Sequence, residues 1–144
     1  MDLAYNRRAQ FDYDVFEKLQ AGIELTGHEV KSAKKGHLNL AASYIVFHDG
    51  EAFMLGMQIP SFQPTNAPPD FDAERTKKLL LKKEEMRYLA GKKQAGFSVI
   101  PVRAYTNRGL IKVEVAVARG RKKHDKRELI KKREVKREIS RSLK

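Results

Sequence analysis

The stretch from Phe97 to Ala118, FSVIPVRAYTNRGLIKVEVAVA, indicates the fold more clearly than any other part of the chain. In its second half, apolar side chains alternate with others, a period typical of a strand with one buried face. The side chains of that face are Ile111, Val113, Val115 and Val117. Asn107-Arg108-Gly109 supplies a turn, and Pro101 requires its strand to lie at an edge or to carry a bulge. The stretch therefore predicts an antiparallel hairpin.

Further strands are predicted on either side of this hairpin. The segment from Ser43 to Leu55, SYIVFHDGEAFML, indicates a second hairpin with its turn at Asp49-Gly50, since these residues tolerate positive φ. FDYDVFEKL and GIEL, near the start of the chain, predict two more strands joined near Gln20-Ala21-Gly22. Short strands joined by tight turns favour a mostly antiparallel sheet or barrel.

Two helices are predicted between the strands. In TGHEVKSAKKG, Thr26 and Glu29 have the spacing of a capping box, and Gly36 is suited to end the helix. The second helix is predicted within residues 70–96, capped by Asp70 or Asp72 and broken or ended at Gly91. Together the elements predict an α+β fold, an OB-like antiparallel β-barrel with inserted helices, closed or partly open.

The charge of the chain divides it into two regions. Its 144 residues carry a formal net charge of +12, and 41% of them are hydrophobic. Residues 119–144 contain 13 Lys or Arg against 4 Asp or Glu, whereas residues 1–118 are nearly balanced. We therefore expect a body over residues 1–118 and a basic tail over residues 119–144. An excess of positive charge this uneven favours a polyanionic partner.

The sequence lacks most of the residue patterns that are typical of catalytic and metal-binding sites. With no Cys and no histidine pair at metal-ligand spacing, we expect no metal, no cofactor and no disulfide. No signal peptide or membrane-spanning stretch is recognisable, which predicts a cytoplasmic protein with no membrane contact. No nucleophile motif or phosphate-binding glycine loop is present, so the sequence favours binding over catalysis.

Basic residues at structured positions are the strongest functional signal. The predicted second helix carries cations around a leucine cluster, with the leucines buried and the cations facing out: Arg75, Lys77, Lys78, Lys82 and Lys83. The first helix adds Lys31, Lys34 and Lys35. Cations on rigid elements can contact phosphates without reading base sequence. Glu29 stays ambiguous, because it suits either a helix cap or a hydrogen bond to a base or ribose.

The tail has helical potential but few apolar residues. Leu129, Val135, Ile139 and Leu143 form a thin stripe on a helical wheel. An isolated helix of this kind is marginal in water, so we expect the tail to be disordered when free and helical when bound to a polyanion. A membrane-surface helix and an inert solubilising tail are the alternatives.

Five stretches, in order along the chain, are similar to one protein family. They are NRRAQFDYDV, AGIELTGHEVKS, NLAASY, RTKKLLL and VEVAVARGRKKHDKRELIKKRE. The chain resembles the SsrA-binding proteins, also called small protein B, the bacterial partners of transfer-messenger RNA. Lys77 departs from the arginine that is usual at its position in that family.

The resemblance implies a role in ribosome rescue. The body would bind the tRNA-like part of transfer-messenger RNA, and the tail would enter the empty messenger channel of a stalled ribosome. The RNA-binding residues it implies in the body are Glu29, Lys31, Ser32, Asn39, Arg75, Lys77 and Lys78. Those implied at the decoding centre and in the channel are His124, Asp125, Lys126, Arg127, Lys131, Lys132, Arg133, Lys136 and Arg137. The protein would act as a monomer without enzymatic activity.

Two other functions stay open from the residues alone. A general RNA-binding or ribosomal protein would share the charge and the barrel, and an RNA-modifying enzyme could use the barrel to hold its substrate. Preference for a tRNA-like RNA over an equal mass of duplex would distinguish the adaptor from the general binder. Turnover of RNA by the protein alone would favour the enzyme.

Overall fold

The computed structural model describes residues 2–61 and 71–120, and this part of the chain forms one antiparallel sheet with three helices. The elements are β1 Asp2–Tyr5, α1 Arg7–Phe11, β2 Tyr13–Ile23, α2 Gly27–Lys34, β3 Tyr44–His48, β4 Glu51–Leu55, β5 Lys77–Leu80, α3 Lys83–Gln94, β6 Ser98–Asn107 and β7 Leu110–Gly120. The seven strands are ordered β1-β6-β7-β2-β5-β4-β3. The fold is therefore α+β, as the sequence predicts.

Both predicted hairpins are confirmed. In the β6–β7 hairpin, Asn107 pairs with Leu110, and Arg108 and Gly109 form the turn with φ of 52° and 78°. In the β3–β4 hairpin, Asp49 and Gly50 have φ of 49° and 73°. Two successive residues with positive φ give a turn whose twist matches that of the flanking strands.

The prediction for Pro101 is confirmed as a bulge. The register of β6 against β7 shifts between Pro101 and Arg103. The alternative of an edge strand does not hold, because β1 pairs with β6 on its other side. The Asn6 side chain amide donates to the Pro101 carbonyl at 2.8 Å, and the Asn6 backbone amide donates to the Val102 carbonyl at 2.7 Å. The bulge therefore also anchors the start of α1, a helix that the sequence analysis did not predict.

The prediction of two separate strands before α2 is wrong. Tyr13–Ile23 is one strand, and it pairs with β7 along most of its length. Gly22 does not interrupt it, because the missing side chain makes room for Leu80 of the neighbouring strand. A Cβ at Gly22 would lie 3.2 Å from the Leu80 Cβ. The glycine permits a close strand pair here and does not act as a turn residue.

The prediction of one long helix within residues 70–96 is also wrong in its first half. Lys77–Leu80 form β5, which pairs with β2 on one side and β4 on the other. Burial alternates along β5, so Lys77 and Leu79 face the interior while Leu80 is exposed. The helix begins only at Lys83, and it continues through Gly91 to Gln94. A short run of lysines and leucines fits the period of a helix as well as that of a strand. Pairing with a strand on each side stabilises the strand conformation here.

β7 is buried on both faces. Ile111, Val113, Val115 and Val117 lie in the main core, which confirms the apolar face predicted from the sequence. On the opposite face, Ala116 and Ala118 pack with Ala9 of α1, Ile100 and Val102 in a smaller core. Small side chains at these positions let α1 lie close to the sheet.

The sheet curves so that distant strands approach each other. β3 stands at one end of the strand order, yet it contacts β6, next to the other end. α3 lies near this junction, with Leu89 fully buried in the main core and Lys93 Nζ donating to the Ile45 carbonyl at 3.1 Å. The helix therefore links β3 to the rest of the fold.

Alanine substitutions at two glycines are expected to have opposite effects on stability. Gly56 has a φ of +74°, and a Cβ there would collide with the Ala42 carbonyl oxygen. Gly56→Ala is therefore expected to lower the free energy of unfolding by about 2 kcal/mol. Gly91→Ala is the control, since Gly91 lies in the interior of α3 with open space around it. It is expected to stabilise the protein by up to about 1 kcal/mol. Urea denaturation measures both; a neutral Gly56→Ala would contradict the prediction.

Candidate nucleic-acid interface

The helix α2 begins with the capping box that the sequence predicts. The Glu29 amide donates to the Thr26 hydroxyl at 3.2 Å, and the Thr26 amide donates to Glu29 Oε1 at 2.9 Å. At the other end, Gly36 has a φ of +87°, which confirms it as the residue that ends the helix. These local contacts set the position from which α2 presents its side chains.

Glu29 is also the centre of an ion-pair network that the sequence does not reveal. Arg75 Nη2 lies 2.6 Å from Glu29 Oε1, and Arg75 Nε donates to Oε2 at 3.2 Å. Lys77 Nζ lies 4.0 Å from Oε2. Glu29 is only 2% exposed, so these two cations neutralise a carboxylate that has almost no access to water. We name Glu29, Arg75 and Lys77 the clamp, because they join α2 to the start of β5.

Lys77 lies inside the protein, against the prediction that it faces outward. It is 0% exposed, and its ammonium donates to the Met57 carbonyl at 3.1 Å and to the Arg75 carbonyl at 2.6 Å. The reason is the strand: Lys77 is on the inward side of β5, whereas the prediction placed it on a helix surface. Burial lowers the pKa of Lys77, and the Glu29 charge opposes that shift only in part.

The pKa of Glu29 is lowered in spite of its burial. Burial alone would raise the pKa of this carboxyl group. The Arg75 hydrogen bond, the Thr26 amide and the charges of Arg75 and Lys77 together outweigh that effect. The Arg75 pKa is raised in turn, chiefly by its hydrogen bond to Glu29. Glu29 and Arg75 are therefore charged at neutral pH, and both Glu29 oxygens already accept hydrogen bonds within the protein.

The inner side of α2 holds the segment that follows β4. Ser32 is fully buried, and its hydroxyl donates to the Pro60 carbonyl. His28 Nε2 lies 2.8 Å from Ser61 Oγ, and the His28 ring contacts Phe71 edge-on at 4.9 Å. No spacing pattern in the sequence could have related His28 to Ser61, which is 33 residues away.

The other predicted site residues of the body are more exposed. Asn39 is exposed and pairs through its backbone with Gln58, while its side chain oxygen accepts from the Ala41 amide at 2.8 Å. Lys78, on the outward side of β5, pairs with Glu51 at 3.1 Å. Arg75 is partly exposed although it belongs to the clamp. The structure thus brings Glu29, Ser32, Arg75 and Lys77 together and places Lys78 on the other side of its strand.

The outer side of α2 is basic. Lys31, Lys34 and Lys35 are exposed there, and the exposed His37 follows the helix. Their backbone is held by the capping box and their helix by the clamp, so the cations stand on a rigid base. We name Lys31, Lys34 and Lys35 the α2 cationic surface. Its chemistry suits phosphate groups, which bind cations without regard to base sequence.

The predicted site residues beyond Gly120 lie outside the described residues: His124, Asp125, Lys126, Arg127, Lys131, Lys132, Arg133, Lys136 and Arg137. Strand β7 extends to Gly120, two residues beyond the predicted end of the body at residue 118. Among residues 2–61 and 71–120, no group of three or more potential metal ligands lies close enough to hold an ion. Within the same ranges, no helix has the length and apolarity needed to cross a membrane.

A curved antiparallel sheet with a rigid basic helix defines a class of small α+β proteins suited to polyanions. Comparison with known proteins places the chain more narrowly. The family model described as SmpB protein matches residues 3–144. The chain therefore belongs to the SmpB protein family.

Individual relatives are similar to this protein over nearly the whole chain. The SsrA-binding protein of Thermosipho africanus is 46% identical over 144 residues, covering 99% of this chain and 96% of the relative. The SsrA-binding protein of Verminephrobacter eiseniae is 43% identical over 143 residues, covering 99% of this chain and 91% of the relative. A solved structure described as "tmRNA-SmpB: a journey to the center of the bacterial ribosome" matches with a TM-score of 0.69 and 38% identity. The match covers 88% of this chain and 92% of the chain in that structure.

Proposed function

We propose that this protein binds transfer-messenger RNA and delivers it to stalled ribosomes for rescue. Membership of the SmpB family carries the proposal, because relatives that match almost end to end are called SsrA-binding proteins. The description of the similar solved structure names tmRNA, SmpB and the bacterial ribosome together. The α2 cationic surface supplies the chemistry for an RNA partner.

Within the body, we assign two kinds of role. Lys31 and the partly exposed Arg75 contact RNA phosphates, with Asn39 and Lys78 at the margins of the same interaction. Glu29, Ser32 and Lys77 have a structural role, because all three are buried beneath the exposed cations. They hold α2 against β5 and the Pro60 segment, so that the cations keep a fixed spacing. A preorganised surface loses less conformational entropy on binding than free lysine side chains would.

The curvature of the sheet supports an OB-like barrel as the finer description of the fold. The approach of β3 to β6, with α3 beside them, is the arrangement expected of a partly open barrel. Barrels of this kind carry nucleic acids on an exposed sheet face and on the loops around it. The body would then extend from residue 1 to the end of β7.

The basic tail would act on the ribosome after the body has bound its RNA. His124, Asp125, Lys126 and Arg127 would lie at the decoding centre. The following cations would contact ribosomal RNA in the messenger channel: Lys131, Lys132, Arg133, Lys136 and Arg137. Because messenger RNA and the tail would compete for one space, the tail would bind only where messenger is absent. The protein would work in the cytoplasm as a monomeric adaptor without enzymatic activity, metal or cofactor.

Replacing Lys31 with glutamine tests the role of the α2 cationic surface. If Lys31 contacts one phosphate, the slope of log affinity against log salt should decrease by about 1 for the tRNA-like part of transfer-messenger RNA. Fluorescence anisotropy over a salt series measures this slope. Arg87→Gln is the control, since Arg87 is an exposed cation on α3. Equal slopes for Lys31→Gln and the parent protein would contradict the assignment.

The choice of RNA tests the function itself. The parent protein should bind the tRNA-like RNA far more tightly than an equal mass of duplex RNA at the same salt concentration. Equal affinities would identify a general RNA-binding protein instead of a rescue adaptor.

A further inference from the structure

A second surface, formed without any residue of α2, combines exposed aromatic rings with cations. It is a groove of about 350 Å³ between the start of β2, the outer side of α3 and the end of β7. Its principal lining residues are Phe16, Tyr88, Lys92, Phe97 and Arg119. We name it the aromatic groove.

Phe16 is directed into this groove by an irregularity of the sheet. Val15 pairs with Ala118 and Glu17 pairs with Val117, so Phe16 is an extra residue with no partner on β7. Such a β-bulge re-aims a side chain, and bulges are common beside binding sites. Phe16 is 63% exposed, and Tyr88, on α3, is 41% exposed. Two aromatic rings are thus held at the surface instead of being packed inside.

The rings are fixed in place by specific contacts. Phe16 meets Phe97 edge-to-face, with ring centroids 5.8 Å apart at 89°. Lys92 Nζ lies 4.9 Å and the Arg119 guanidinium 4.4 Å from the centre of the Phe97 ring. The Tyr88 hydroxyl donates to Glu17. Both cations lie against Phe97, and Lys92 also lies 5.6 Å from the centre of the Tyr88 ring. Phe16 is the most exposed of the three rings, and we therefore take it as the stacking surface.

We propose that the aromatic groove binds an unpaired RNA base, which stacks on Phe16 while Lys92 and Arg119 contact the adjoining phosphates. The proposal rests on the proposed function, since it adds a second contact for the same kind of partner. Aromatic rings beside cations are the combination that binds single-stranded RNA, because every base has a face that stacks. The base comes either from transfer-messenger RNA or from ribosomal RNA.

The charge of the groove argues against the chain's own tail as its occupant. Lys92 and Arg119 outnumber Glu17, the acidic residue among the lining side chains, so the groove carries positive charge. Residues 121–144, which follow the groove residue Arg119, have 12 basic and 4 acidic side chains, and they would be repelled. A polyanion is attracted to the same groove.

The test compares three variants on two RNA partners, the tRNA-like part of transfer-messenger RNA and the small ribosomal subunit without messenger. Phe16→Leu keeps apolar bulk but removes the aromatic face. It should lower the affinity for at least one partner by about fivefold or more, with an unchanged salt slope. Lys92→Gln should reduce the salt slope for that same partner. Leu110→Ala is the control, since Leu110 is an apolar residue, 64% exposed, at the start of β7, and it should bind like the parent.

Phe16→Trp supplies an independent readout, because the chain contains no other tryptophan. It should retain RNA affinity, and its fluorescence should be quenched when a base stacks on the indole ring. Unchanged affinity of Phe16→Leu for both partners would overturn the proposal. So would a change in the fluorescence of free Phe16→Trp when residues 125–144 are removed, since that would place the tail in the groove.

The outcomes separate this proposal from the function on which it rests. If the parent protein binds neither partner, the proposed function fails. If the parent binds and Lys31→Gln weakens binding while Phe16→Leu does not, the function stands and the aromatic groove has no part in it. Thermal unfolding of Phe16→Leu should match the parent, because Phe16 is mostly exposed.

Discussion

Replacing Glu29 with alanine is expected to lower the free energy of unfolding by about 3–5 kcal/mol, the usual cost of removing one partner of a buried ion pair. The substitution removes the carboxylate that lies 4.0 Å from the ammonium of Lys77, a residue that is 0% exposed. It also removes the bidentate partner of Arg75 and one half of the capping box. Small domains have a stability of only about 5–15 kcal/mol, so this variant should be close to unfolding at 37 °C. Urea denaturation of parent and variant measures the loss.

Glu29→Gln is the matched control for this prediction. Glutamine keeps the length of the side chain and can still accept from the Thr26 amide, but it carries no charge. Its loss of stability should be smaller than that of Glu29→Ala, and the difference reports what a neutral acceptor can replace. If Glu29→Ala costs only about 1 kcal/mol, as expected for a lost helix cap, the clamp contributes nothing beyond the cap.

The pH dependence of stability offers a second measurement of the same residue. The pKa of Glu29 lies below 4.5 in the folded protein, so the unfolded chain takes up this proton first as the pH falls. Stability due to Glu29 is therefore complete above pH 4.5 and is lost as the pH falls through the folded pKa. The parent protein should lose more stability than Glu29→Gln on acidification below 4.5. Equal acid sensitivity would show that other carboxylates account for the loss.

Ending the chain at His124 is expected to abolish ribosome rescue while leaving RNA binding by the body largely intact. The truncation removes the basic segment proposed to enter the messenger channel, but it leaves α2, the clamp and β7 unchanged. Two measurements are needed: tagging of a peptide on ribosomes stalled without a codon, and affinity for the tRNA-like RNA. The first should fall to background, and the second should change little at physiological salt.

A control that weakens RNA binding but keeps the tail shows whether the loss of rescue is due to the tail. Lys31→Gln keeps the tail, so its rescue activity should recover when the RNA concentration is raised above its weakened Kd. The truncated protein should not recover at any RNA concentration. A large loss of tRNA-like RNA affinity on truncation, or rescue by the truncated protein, would contradict the division of roles between body and tail.

Local patterns in the sequence were sufficient for several elements. The turn residues Asp49-Gly50 and Arg108-Gly109, with apolar alternation on both sides, predicted the two hairpins correctly. Thr26 and Glu29 predicted the capping box of α2. In each case the residues that determine the geometry are within a few positions of each other along the chain.

Predictions failed where an element was too short to show its hydrophobic period, or where the deciding contact came from a residue far away in the sequence. Lys77–Leu80 has only four residues, too few to separate a period of two from 3.6, and its pairing with Ala52–Met54 and Gly22-Ile23 made it a strand. Gly22 was interpreted as a turn because Leu80, the side chain it accommodates, is far away in sequence. The exposure of Phe16 depends on a bulge against β7, which alternation alone does not reveal.

The sequence by itself determined the α+β class, both hairpins, the capped helix α2 and the excess of positive charge at the end of the chain. Only the tertiary structure decided that Glu29 is a buried counter-ion, because Arg75 is 46 residues away from it. Likewise, only strand pairing decided that Lys77 lies inside and Lys78 outside. Backbone geometry and capping depend on neighbours a few residues apart, which a sequence displays directly. Burial and ion pairing depend on which distant segments meet, and that is settled only when the whole sheet has formed.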